Sequence, residues 1–88
     1  MADEMKLVAS VVRQKGTCEA GHQVGDEFDV SGLTPGGMCP FAFYTMFPFV
    51  ATLQYGGSFP WETDPDKSTV ACPDADNTVV FELRRVPQ

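Results

Sequence analysis

GGMCPFAFYTMFPFVATLQYGG, residues 36–57, carries no charge, holds four of the seven phenylalanines and has a glycine pair at each end. The uncharged span is longer still, because residues 30–61 contain no Asp, Glu, Lys, Arg or His. Pro40 suits the first turn of a helix, where its missing N–H has no intrahelical partner to lose. Cys39 is then the cap and Gly56-Gly57 the stop. Cys39, Phe43, Met46, Val50 and Leu53 recur at alternating spacings of four and three, which is one helical stripe. Phe41, Tyr44, Pro48, Ala51 and Tyr55 make a second. Two apolar stripes predict a helix that avoids water over most of its circumference. Pro48 should kink this helix or divide it in two, since it removes a backbone bond and crowds the preceding turn.

Length argues against a membrane span. A helix over residues 40–55 rises about 24 Å at ~1.5 Å per residue, short of a hydrocarbon core of roughly 30 Å. The proline, threonines and glutamine within the run weaken that alternative further. The expected arrangement is a core helix with a sheet on one side and a second subunit on the other.

The flanking segments read as short strands. Residues 6–14, KLVASVVRQ, are rich in β-branched side chains, with Leu7, Ala9 and Val11 on one face and Val8, Ser10 and Val12 on the other. Both faces are partly apolar, which places this strand inside the sheet. Glycines at 16, 21 and 25 punctuate the following loop, and residues 27–30 form a short strand after a turn at Gly25-Asp26. Beyond the helix, Phe59-Pro60-Trp61 brings aromatic bulk into a loop whose tip carries Glu62, Asp64 and Asp66. Residues 68–72 are a strand, Pro73 to Asn77 a turn, and residues 78–86 a strand with Val79, Phe81 and Leu83 inward and Val80, Glu82 and Arg84 largely outward. Residues 1–5 read as a loose, charged end. The fold class is therefore α+β in one domain over residues 1–88: β-β-α-β-β, a small, mostly antiparallel sheet with one aromatic-rich, proline-interrupted helix packed on it.

Composition narrows the function. Eighty-eight residues give room for one modest core. A formal charge of −6 with only six basic residues excludes unassisted nucleic-acid binding and disfavours anionic membrane surfaces. The N-terminus, MADEMK, has no apolar stretch of the kind a secretory signal needs. Three cysteines, an odd count outside a secretory context, point to free thiols or metal ligands in a reducing cytoplasm.

The chemical lead is the set Cys18, His22, Cys39 and Cys72. Three thiols and one imidazole match a closed tetrahedral zinc site, and thiolates also suit iron or iron–sulfur clusters. All four stand at loop or element ends, and Cys39 and Cys72 each precede proline. The competing interpretation makes Cys39 and Cys72 small buried hydrophobes and His22 the cap of a turn. Cys39 at a helix N-terminus, or Cys18, with His22 as a base would instead be a thiol-based enzyme or redox pair. The acidic groups Glu62, Asp64, Asp66 and Asp74, Asp76 lack the longer ligand series of a calcium-binding loop and read as solvated turns. Because one small sheet covers only one helical stripe, the second predicts a homodimer, or attachment as an accessory subunit of a larger complex. A purely structural interaction module is the third possibility.

The segments GTCEAGHQVGDEF, GGMCPFAF, YGGSFPWE and TVACPDADNTVVFELRR, in this order, resemble a family of short prokaryotic proteins of about this length. The resemblance covers almost the whole chain. It implies a compact, single-domain cytoplasmic protein and a pattern that includes Cys18, His22, Gly25, Asp26, Cys72, Pro73 and Asp74. It carries over no activity. The expected function is accordingly a small accessory protein that binds a metal, zinc or iron, or another small ligand, through the Cys3His set.

Overall fold

A computed structural model describes residues 5–87. Four strands form one antiparallel sheet in the order β2-β1-β4-β3, with a single helix between the second and third strands of the chain. β1 (Met5–Gln14) lies between β2 (Glu27–Asp29) and β4 (Val79–Pro87), and β3 (Lys67–Ala71) forms the far edge. This is the α+β architecture that the strand and helix patterns predict. The two-faced strand β1 is internal, as its composition requires. The expected loose N-terminal end lies outside the described residues except for Met5, which opens β1.

Strand alternation delivers one apolar face. Leu7, Ala9 and Val11 of β1 and Val79, Phe81 and Leu83 of β4 are all buried, with Val70 of β3 beside them. The helix α1 (Pro40–Gln54) lays Ala42, Met46, Val50 and Leu53 on this face. Each buried Val, Leu, Met or Phe among them contributes roughly 1.5–3 kcal/mol, the main favourable term for a sheet this small. Cys39 and Phe43, the remaining members of the predicted inner stripe, pack against the core half-buried. Val80 departs from expectation. It faces away from the helix yet is only 7% exposed, between its cross-strand neighbours Arg13 and Ala71. An internal strand is shielded by both neighbours, and an arginine stem covers apolar surface. On the facing strand Val12 is displaced by a bulge between Val11 and Arg13 and is 46% exposed.

Pro48 does not divide the helix, which runs unbroken through it. The proline lies on the exposed outer face, so the Tyr44 carbonyl that loses its partner lies where water reaches it. The Thr52 hydroxyl also donates to the Pro48 carbonyl at 2.9 Å. Gly56, at φ +88°, ends the helix in a left-handed turn: its N–H donates to the Leu53 carbonyl and that of Gly57 to Thr52. Arg85 completes that end. Its Nη1 donates to the Leu53 carbonyl at 3.0 Å, Nη2 to the Pro65 carbonyl at 2.7 Å and Nε to Asp66 at 3.1 Å. The acidic loop is thus held down by arginines of β4, because Arg84 also reaches Asp64 at 2.8 Å.

Phe81 is fully enclosed, so Phe81→Ala should lower unfolding free energy by about 3–5 kcal/mol. Urea denaturation checks it, and a loss under about 1 kcal/mol would place the ring outside the core. The Asp66 N–H, and then Arg84, hold the Asp64 carboxyl below its ordinary value of 3.8. A depressed carboxylate adds stability that is present above the ordinary value and is lost as pH falls through the lowered one. Solvent screens this exposed pair, so the effect is small. Asp64→Asn should therefore shrink the stability difference between pH 6 and pH 2, roughly the range such carboxylates span, as read from urea midpoints at the two values.

Candidate functional site

Antiparallel pairing puts the end of β1, the start of β4 and the end of β3 at one end of the sheet, and the N-terminus of α1 shares a cleft with the loops that leave that end. Each of these places carries or adjoins a cysteine. Cys18 stands in the loop after β1, Cys39 caps the helix, and Cys72 follows β3 immediately. All three are free and partly exposed. They line one cleft of about 720 Å³, together with Glu19, Phe41, Asp74 and Asn77. Three residues remote in sequence are thus brought to one cavity by the strand order and by the helix packed on the sheet.

His22 lies behind this cleft, not in its lining, and is 3% exposed. Its ring meets Phe28 and Phe81 edge-on at centroid distances of 5.3 and 5.9 Å. Its Nε2 accepts the Cys39 backbone N–H at 2.9 Å. The acceptor role assigns the ring proton to Nδ1. The imidazole therefore satisfies a free N–H at the helix start and orients the residue that carries the thiol. The Cys39 side chain itself makes no capping hydrogen bond. The loop holding His22 is pinned to β1 through Gly25 N–H to Val11 C=O and Val11 N–H to Asp26 C=O, each 2.9 Å. The Asp26 carboxylate closes the turn by accepting the Gln23 N–H at 3.0 Å.

Cys72 is fixed by the turn that follows it. The Val79 N–H donates to its Sγ at 3.2 Å, and its own N–H donates to the Val79 carbonyl at 2.9 Å. Asp74 Oδ1 accepts the N–H groups of Asp76 and Asn77, both at 3.1 Å, which shapes the turn from within. Asn77 then reaches across: its Oδ1 accepts the Thr17 N–H at 2.9 Å, tying the segment before Cys18 to the turn after Cys72. Gly16 makes that approach feasible. It has φ +68°, and a Cβ there would stand 2.9 Å from the Asp76 carbonyl oxygen and collide with the Asn77 amide. Asn77 and Gly16 are the positioning residues that the sequence pattern hid, since P-D-A-D-N marks a turn without naming what the turn holds.

Among the described residues, no group of three or more His, Cys, Asp and Glu side chains is placed to hold a metal ion. The thiols line the cleft without closing on one point, and the imidazole nitrogen nearest to them is engaged with a backbone N–H. No protein-family model, no curated protein and no solved structure matches this chain.

Gly16→Ala combines a left-handed φ with a backbone collision and should destabilise the domain by more than about 1 kcal/mol. Urea unfolding tests this, and a change below about 0.5 kcal/mol would mean that the two loops have room to separate.

Proposed function

We propose that the protein binds a thiophilic metal cation, zinc or ferrous iron, in the cleft between Cys18, Cys39 and Cys72, as a small accessory protein of the reducing cytoplasm. The observation that carries this reading is the convergence of all three free thiols on one cavity. The rim supports a cationic ligand over an anionic one, since Glu19 and Asp74 line the cleft and the chain carries −6 overall. Lys15 is the nearby counter-charge, with its Nζ 3.5 Å from the Ala75 carbonyl. The Val79 N–H aimed at the Cys72 sulfur is the kind of outer contact that orients a ligating thiolate. Binding would draw Cys18 inward, because it stands on a loop whereas Cys39 and Cys72 are anchored to a helix and a strand. His22 then supports the ligand set from behind through the Cys39 backbone.

A thiol-based enzyme would need the imidazole to take a proton from sulfur. The Nε2 of His22 instead accepts a backbone N–H, which favours binding over catalysis. A purely structural module would show neither metal uptake nor protected thiols.

Protein purified under reducing conditions without chelators should carry close to one equivalent of metal by elemental analysis. After metal removal, titration with Co²⁺ should give thiolate charge-transfer absorption. Each single Cys→Ser change at 18, 39 or 72 should weaken binding by at least ~10–100-fold, the range typical of lost outer contacts alone. Absence of metal together with no Co²⁺ signal would refute the reading.

A further inference from the structure

The helix has a second face that the sheet does not use. Phe41, Tyr44 and Tyr55 of the outer stripe are 69%, 82% and 81% exposed, and Phe47 beside them is 54% exposed. The Phe59-Pro60-Trp61 loop does not cover these rings. Phe59 packs on Phe49, at a centroid distance of 5.4 Å, and Trp61 stacks on Phe59 while remaining 66% exposed. An apolar groove of about 660 Å³ runs beside the stripe, lined by Met38, Phe43, Tyr44, Phe47 and Pro48 among others.

We propose that this outer face of α1 is a two-fold interface with a second copy of the chain, the Tyr44 ring of each copy seated in the other's groove. Three observations select a second copy as the occupant. The first is charge. Residues 30–61 hold no ionisable Asp, Glu, Lys, Arg or His, in a chain whose net charge is −6. A charged partner would have nothing to pair with here, whereas two identical neutral faces meet without burying any charge. The second is area. Four aromatic side chains of roughly 150–250 Å² each, about seven-tenths exposed, leave ~500 Å² open. With Leu33, 85% exposed, Pro48 and the groove wall, the face approaches the ~800 Å² per partner of a standard interface. The third is self-complementarity, since the face carries both a projecting ring and a groove, which is what an isologous contact requires. The inference rests on the helix face, which meets the thiol cleft only at Pro40 and Phe41.

Sedimentation equilibrium of the intact chain at micromolar concentration decides it. The expected species has twice the chain mass. Its association should hold or strengthen between low salt and roughly 0.5 M salt, because screening removes repulsion between two acidic bodies and an uncharged contact has no ion pair to lose. Tyr44→Glu and Tyr55→Glu alter exposed positions, so far-UV circular dichroism should be unchanged while dimerisation weakens by at least ~30-fold, each change counting twice across the two-fold. A single species at chain mass overturns the proposal. So does a dimer that either glutamate leaves intact, a dimer that dissociates as salt rises, or a monomer that partitions onto neutral phosphatidylcholine vesicles through this face.

Discussion

The hydrogen bond from the Cys39 N–H to His22 Nε2 sets where the helix starts, and with it the position of everything at that end of the molecule. α1 has no acidic residue in its first turn and no basic residue in its last, so no charged side chain of its own balances its dipole. Both ends are held from outside. His22, on a loop pinned to β1, takes the N-terminal N–H; Arg85, on β4, takes the Leu53 carbonyl at the other end. The two clamps come from elements that also frame the core, so the register of the helix on the sheet and the position of Cys39 are one constraint.

The two ends of the sheet differ in how the chain is fastened. At one end Arg84 and Arg85 engage Asp64 and Asp66, so the C-terminal strand, the acidic loop and the helix terminus are joined by ionic contacts. At the thiol end the fastening is neutral or carboxylate-to-amide: His22 to Cys39, Asn77 to Thr17, and Asp74 to the two N–H groups of its own turn. Three of the four arginine and lysine side chains on β3, β4 and the loop after β1 are therefore committed far from the cysteines, Lys67 to Glu62 and the two arginines to Asp64 and Asp66. The cleft is left with an acidic rim and a single nearby lysine.

Much of this was legible in the sequence, and for identifiable reasons. Spacings of four and three between Met46, Val50 and Leu53 determine a helix face, and alternation in residues 79–83 determines a strand face, because each periodicity has one geometric solution. Gly56-Gly57 as the stop followed from the left-handed φ that a helix end needs. What could not be read were contacts between segments far apart in sequence. Arg85 on the helix carbonyl, Asn77 on the Thr17 N–H and the closeness of Gly16 to the turn at 76–77 leave no periodic trace. Pro48 was misjudged as a possible break because its effect depends on which helical face it occupies. On the outer face, the freed carbonyl meets water and the helix continues.

His22 is where sequence and structure part most instructively. Its residue type and its place in a loop suggest a fourth ligand, yet it is buried against Phe28 and Phe81. An imidazole so placed needs a partner for each nitrogen it turns inward, and the start of an uncharged helix offers a donor that nothing else there accepts. The same bond that satisfies the ring therefore withdraws Nε2 from chemistry at the thiols and fixes the backbone of one of them. The imidazole gives its Nε2 to a backbone N–H, and Glu19 and Asp74 line the cleft with the thiols, which is the arrangement on which the proposed cation binding rests.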